Sequence, residues 1–423
     1  MLVYLFYNLL SPVIWGFLHI IKCFNPKIRI HLRGQNQSIK NVLDALSDQR
    51  GNKTLLMMHA ASAGEFEQLK PLLKRINRKQ YFCIQTFTSP TIYEEEKYSK
   101  LFDAVCYFPF DLPWIVNAFY AKIKPDIFLI TRHDIWPNMI RLAHAHHIKL
   151  FFINGNIHEN SLWVKPLFLS LGRYLFSFFS IITTGSNRLK SQIESLTNSE
   201  KIHVIGDTRF DQIQDRKKEK PQLFSDEIYS TKNIIFGSMD EFDISFVKKS
   251  IHTHFPNGET SLQAVKQRLI LVPHEVDEKT LQNIESQFNT INISMIRYSH
   301  LDDNIKSSCI LIDRIGLLAD LYAYADLAYI GAGFGRGVHS VIEPAVHACA
   351  IAYGPNFHIL DEAVSLVQED ISTIVRTEEE LSTFFSLLNQ SDLLNTIQSK
   401  SIDFVSHFNH PSQIILDLLD SKQ

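Results

Sequence analysis

Short, almost wholly apolar runs recur along this chain with amphipathic stretches between them, and that rhythm constrains the fold more than any other feature. In the first half the runs are TLLMMHA (54–60), FCIQTFT (82–88), AVCYFPF (104–110), IFLIT (127–131), KLFFING (149–155), IITTGS (181–186) and HVIGD (203–207). Continuous apolar character over so few residues is what a strand covered on both faces requires. Stretches such as EFEQLKPLLKRINRK (65–79) fill the gaps with helical patterning. Alternation of this kind predicts a parallel, doubly wound sheet. A charged stretch, QDRKKEKPQLFSDE (214–227), interrupts the rhythm, which resumes as NIIFGS, RLILVPH, NISMIRYS, SCILIDRIG, DLAYIGAG and AIAYGP. The expected fold class is therefore α/β with two Rossmann-like halves. We expect an N-terminal anchor over 1–22, a first domain over 23–213, a linker over 214–232, a second domain over 233–390 and a helical segment over 391–423.

Bulk properties exclude several classes. The formal net charge of -3 gives no global electrostatic case for a nucleic-acid partner. The five cysteines are dispersed, without a CxxC pair, which argues against a disulfide framework or a zinc ribbon. HAHH (144–147) has no acidic or cysteine co-ligand nearby in sequence, so no metal is expected there. The segment LVYLFYNLLSPVIWGFLHII (2–21) carries no charged residue, is about the length needed to cross a bilayer, and is followed by Lys22, Lys27, Arg29 and Arg33. It predicts membrane association, with the downstream chain on the cytoplasmic side. A buried or interfacial helix kinked at Pro12 is the competing reading.

In doubly wound folds ligands lie beyond the carboxyl ends of the strands. That rule points to the loops at 59–65, 86–91, 131–138, 236–241, 272–278 and 331–343. In the first, HAASAGEFEQ places Glu65 at a helix start. Ser62 to Glu65 matches a capping box, so Glu65 is either a cap or, held ionised by the helix dipole, a general base. Asp134, in ITRHDIWPN, is either a second carboxylate at the same rim or another cap. In the second half, Gly237 and Ser238 follow one strand, His274 and Glu275 another, and YIGAGFGRGVHSVIEP (329–344) a third. Glycine amides there would present donors to phosphate, and Glu343 a carboxylate to a ribose. The glycines do not match G-x-G-x-x-G, because Arg336 or Val338 falls at the last position, so a nicotinamide site is not indicated.

In combination HAASAGEFEQLKPLL, TFTSPT, YFPFDLPWIVNAFYAKIKPDIFLITRHDIWPN, VIGDTRFD, LVPHEVDE and YIGAGFGRGVHSVIEPAVHACAIAYGP resemble the 3-deoxy-D-manno-octulosonic acid (Kdo) transferases of lipopolysaccharide synthesis. The resemblance runs to about residue 390 and implies a GT-B fold, two Rossmann-like domains facing across a cleft. It implies an inverting transfer of Kdo from CMP-Kdo to a lipid A precursor (lipid IVA) at the cytoplasmic face of a Gram-negative inner membrane. No cofactor or metal is expected, since the sequence lacks a D-x-D motif. Glu65 then matches the catalytic base, with Asp134 as its catalytic partner. Ser62, Gly64, Thr88 and Trp136 fall on the acceptor side. Gly237, Ser238, His274, Glu275, Gly335, Arg336, Gly337, His339 and Glu343 fall in the donor loops. The chain departs from the family's usual residues at Asp134 (glutamate), Asn156 (arginine) and Ser340 (asparagine), and has PHE at 273–275 where many members have PRH. Two alternatives stay open: another membrane-associated GT-B enzyme using a different nucleotide sugar, and a membrane-tethered nucleotide-binding protein in which Glu65 only caps a helix.

Overall fold

The computed structural model describes residues 2–219, 222–302, 305–335, 337–408 and 410–421. The chain forms two compact units. One contains Met1–Gln212 together with His410–Gln423, the other Ile213–Asn409.

The first unit is built on a parallel sheet of β1 (Thr54–Ala60), β2 (Tyr81–Phe87), β3 (Ala104–Tyr107), β4 (Ile127–Thr131), β5 (Lys149–Gly155), β6 (Phe179–Thr184) and β7 (Ile202–Val204), ordered β3-β2-β1-β4-β5-β6-β7. The second unit repeats the plan with β8 (Lys232–Met239), β9 (Gln267–Pro273), β10 (Ile296–Arg297), β11 (Cys309–Leu311), β12 (Leu327–Ile330), β13 (Ala350–Tyr353) and β14 (Ser372–Ile374), ordered β10-β11-β9-β8-β12-β13-β14. Helices cover both faces, and the apolar runs are buried end to end, as in β2 and β9. In the two sheets the order reverses between β1 and β4 and between β8 and β12. Such a reversal splays the flanking connections to opposite faces and leaves a crevice at the carboxyl ends.

The region expected as a linker is folded at its start. Helix Arg209–Glu219 runs into it, and within the second unit Arg216 pairs with Asp320 and Lys217 donates to the Val346 carbonyl. The helical segment after 390 divides between the units. Helix Ser391–His407 belongs to the second, while helix Pro411–Ser421 lies on the first unit's sheet.

The segment 2–21 is one helix, Leu2–Ile21, long and apolar enough to cross a membrane. Its amphipathicity is inverted. Tyr4 and Ser11 are buried against the first unit, whereas Leu2 (83% exposed), Phe6, Leu9 (73%), Val13 and Phe17 face outward.

Candidate functional site

In the first unit the reversal of strand order places the loop after β1 beside the loop after β4. Glu65 is the third residue of helix Ala63–Arg75 and closes a full capping box: its Oε2 accepts from the amides of Ala61 (2.6 Å) and Ser62 (3.2 Å), while Ser62 Oγ accepts from the Glu65 amide. The capping role is therefore real, and it engages one oxygen. Among the described residues nothing donates to the other.

Across the crevice Asp134 is held twice. Trp136 Nε1 donates to its Oδ1 at 3.0 Å, and His59 Nε2 lies 3.1 Å from its Oδ2. His59 is fully buried at the end of β1, and its Nδ1 meets Thr86 Oγ1 at 2.8 Å. Thr86 spends its own proton on the Met58 carbonyl, so both ring nitrogens of His59 face acceptors. Thr88 Oγ1 approaches the same Nε2 at 3.4 Å, and the Thr88 carbonyl is fixed by His31 at 2.9 Å.

These contacts push the two carboxyls apart. Burial first and the Asp134 charge second raise the Glu65 pKa, against the pull of the Ala61 and Ser62 amides and of His59. Burial also works against ionised Asp134, but the His59 hydrogen bond and charge, with Trp136 and His133, outweigh it and hold that carboxyl below its ordinary range. A pair separated in this way supplies one carboxylate that stays ionised and one that binds a proton more readily than an ordinary glutamate.

A polar network backs the rim. Gln68, one turn after Glu65, donates to Asp207 and accepts from Thr131 Oγ1, and Thr208 links the Gln68 carbonyl to Asn154. Burial opposes the Asp207 anion, yet the charges of Arg209 and Arg132 bring its pKa down. Arg132 adopts a left-handed backbone (φ 57°), its carbonyl accepts from the Asn156 amide, and its half-buried guanidinium has no bonded partner among the described residues. Strained backbone of this kind concentrates at functional sites.

In the second unit the same rule applies between β8 and β12. Gly237 ends β8's regular pairing with β12, and a Cβ there would meet the Tyr322 hydroxyl at 2.1 Å. Ser238 (φ 55°) hydrogen-bonds His274 Nδ1 at 2.9 Å, and the His274 ring stacks on His339 at 4.9 Å. The glycine segment folds back on itself: Gly335 and Gly337 amides both donate to the Ala332 carbonyl, and Asn356 Nδ2 donates to Gly335. Gly337 sits at φ 125°, a conformation open to glycine. Buried Asp243 anchors the loop through Tyr329 Oη and the Ala332 amide (2.7 Å each), with its carboxyl raised to about 6, burial being the main cause. Ser340 Oγ donates to Glu343, whose charge is felt by buried Tyr322 beside Gly237.

The rim of the first unit thus gathers Ser62, Gly64, Glu65, Thr88, Asp134 and Trp136. That of the second gathers Gly237, Ser238, His274, Gly335, Gly337, His339 and Glu343. Glu275 stands exposed beside His274 with no partner among the described residues. Arg336 lies outside the described residues. Sequence reasoning missed His59 as a site residue. It reads as one more member of an apolar strand, and only its being a polar side chain at the carboxyl end of β1 signals otherwise. In HAHH the side chains diverge, with His144 stacked on Phe178 and His146 bonded to Asn117.

A family model described as 3-Deoxy-D-manno-octulosonic-acid transferase (kdotransferase) matches residues 37–212. A 3-deoxy-D-manno-octulosonic acid transferase of Chlamydia muridarum is 25% identical over 80% of this chain and 79% of its own length. That of Aquifex aeolicus is 24% identical over 78% and 85%. Among solved structures, the UDP-GlcNAc 2-epimerase of Neisseria meningitidis has a TM-score of 0.63 at 13% identity, covering 87% of this chain and 100% of that one. A glycosyltransferase from Rickettsia africae has a TM-score of 0.57 at 11% identity, covering 87% and 98%. At such identities the structures speak for the fold alone, which is GT-B. The sequence relatives go further, with the family model falling on the unit that carries Glu65, His59 and Asp134. The chain is thus similar to the 3-deoxy-D-manno-octulosonic acid transferases, through a family model over its first unit and through relatives 24–25% identical over most of its length.

Proposed function

We propose that the protein transfers Kdo from CMP-Kdo to a lipid A precursor (lipid IVA), with inversion, at the cytoplasmic face of a Gram-negative inner membrane. The observation that carries this reading is the pair of carboxyls at the first unit's crevice, Glu65 with one oxygen in its cap and the other without a donor among the described residues, and Asp134 held by Trp136 and His59. Glu65 uses one oxygen for its cap and keeps the other for the acceptor hydroxyl. As the hydroxyl oxygen bonds to the anomeric carbon, its proton passes to Glu65, and the bond from that carbon to the CMP phosphate breaks with its electron pair leaving on the phosphate. Asp134 stays ionised on His59, keeps the Glu65 pKa up, and fixes Trp136 on the acceptor side.

On the donor side, the glycines of the Gly331–Gly337 turn would admit the leaving phosphate beside Gly237, Ser238 and Arg336, and Glu343 would meet the cytidine ribose. No metal is assigned a part. The half-buried cation Arg132 fits an anionic group of the acceptor, such as a sugar phosphate. The outward apolar face of helix Leu2–Ile21 supports membrane residence. The test is incubation of protein-bearing membranes with CMP-Kdo and a tetraacyl lipid A precursor, with the Kdo residues on the product counted by mass spectrometry. Absence of any Kdo-bearing product would overturn the reading.

A further inference from the structure

The N-terminal helix Leu2–Ile21 has an unusual relation to the rim described above. A helix acting only as an anchor needs no polar contact with a catalytic loop. Here the stripe formed by Tyr4, Tyr7 and Ser11 faces the first unit. Tyr4 Oη donates to Asn138 Oδ1 at 2.8 Å in a buried bond, and the Arg141 guanidinium lies 5.5 Å from the Tyr4 ring centre. Tyr7 Oη donates to Asp111 Oδ2 at 3.0 Å.

Asn138 and Asp111 in turn define where the loop after β4 ends. Helix Pro137–Ala145 starts at Pro137, and Trp136, its N-cap residue, supplies no side-chain cap. Asp111, from the distant DLPW segment, provides it instead. Its carboxylate accepts from the amides of Asn138 (3.0 Å) and Met139 (2.6 Å), and its carbonyl accepts from Asn138 Nδ2 at 2.9 Å. The residue before this helix is Trp136, whose indole holds Asp134, which in turn holds His59. An unbroken chain of hydrogen bonds and backbone therefore runs from the face of the membrane-type helix to the Asp134 carboxylate.

We propose that helix Leu2–Ile21 is a positioning element of the reaction as well as an anchor: docking of its Tyr4–Tyr7 edge on Asp111 and Asn138 holds the loop that carries Asp134 and Trp136. The apolar residues of the opposite face engage the membrane while the tyrosine edge engages the enzyme, so the helix lies on the first unit and registers the bilayer surface to the rim. This rests on the proposed Kdo transfer only through the choice of kinetic assay.

The test uses the full chain with Trp15→Phe, Trp114→Phe and Trp163→Phe, so that Trp136 alone reports, and compares it with the same chain carrying Tyr4→Phe and Tyr7→Phe. The phenylalanines keep both rings and the outward face, so flotation with anionic phospholipid vesicles should not change. Acrylamide quenching of Trp136 should rise. With CMP-Kdo and the tetraacyl precursor in mixed micelles, kcat should fall by about tenfold or more while KM for CMP-Kdo stays within about twofold. Unchanged Trp136 quenching overturns the proposal, as does a kcat within about twofold of the parent. If the double variant does not accumulate folded, Tyr7→Phe alone, at the part-buried bond, is put through the same measurements. If the parent transfers no Kdo, the functional reading fails, and Trp136 quenching by itself decides this one.

Discussion

Glu65 caps its helix, and one substitution pair can separate that cap from its proposed role as base. In Glu65→Gln the side-chain amide oxygen can still accept from Ala61 N and Ser62 N, so the capping geometry survives and the stability cost is about 0.5 kcal/mol. In Glu65→Ala both hydrogen bonds go, and the loss is that of a helix cap, about 1–2 kcal/mol. For a unit of this size each kcal/mol moves the melting midpoint by about 2–4 °C, well within the stability of an ordinary domain. Neither protein should therefore be appreciably unfolded at assay temperature. Both lose the proton acceptor, and removal of a general base costs about 10²–10⁴ in rate, or about 3–5 kcal/mol of barrier. Glu65→Gln is then expected to be nearly as stable as the parent yet nearly inactive, with Glu65→Ala slightly less stable and equally inactive. The assay is Kdo transfer from CMP-Kdo to tetraacyl precursor in detergent micelles, read by mass spectrometry, alongside thermal unfolding by circular dichroism. A Glu65→Gln protein that transfers within about tenfold of the parent rate would refute the base assignment and leave the cap as the residue's whole purpose.

Three further outcomes follow from the geometry. Glu65 must be ionised to act, and its pKa is raised, so the acid limb of kcat/KM should lie above the ordinary glutamate range, activity failing as pH falls through it; Asp134→Asn removes one of the two upward pushes and should move that limb to lower pH, while an unmoved limb would show that the carboxyls do not sense each other. Gly337→Ala forces a side chain into φ 125° and should destabilise the protein by about 1–3 kcal/mol in urea unfolding, whereas no change would mean the turn relaxes freely. Lys22, Arg29 and Arg33 border a recess of about 630 Å³ with Trp15 and His19, and replacing the three cations by Gln should weaken flotation with anionic vesicles by about 1 kcal/mol per charge, an effect that neutral vesicles should not reproduce.

Much of this was legible in the chain itself, for reasons that differ by element. Strands β1, β4 and β5 fall on the apolar runs that mark them, because a strand buried on both faces is made mostly of apolar residues. NISMIRYS was read too long, since only Ile296 and Arg297 pair with the neighbouring strand, and β14 went unread because its Ser-Thr-Ile carries almost no apolar signal at a sheet edge. Glu65 and Asp134 were legible because each follows a strong strand, Glu65 in the first turn of the next helix and Asp134 in the loop just before one. Their mutual influence, and the mediation of His59, were not, since pairing of β1 with β4 across the reversal is a tertiary fact. The cap on helix Pro137–Ala145 was equally hidden, because Asp111 reaches it from a separate loop rather than from the N-cap position where sequence patterns look.

The return of helix Pro411–Ser421 to the first unit has a consequence for biosynthesis. Ile415, Leu416 and Leu419 pack into the same cluster as Leu56, Phe66 and Phe151, Ser412 binds Asp211, and Tyr81 donates to Asp420 at 2.6 Å. While the nascent chain is still being made, the second unit has all of its own strands and helices before the first has its last apolar cover. The earliest-synthesised sheet therefore waits longest on the ribosome for completion, with greasy surface open to chaperones in the interval. Damage to the final helix should register in the unit made first, far away in sequence, and not in the one that immediately precedes it.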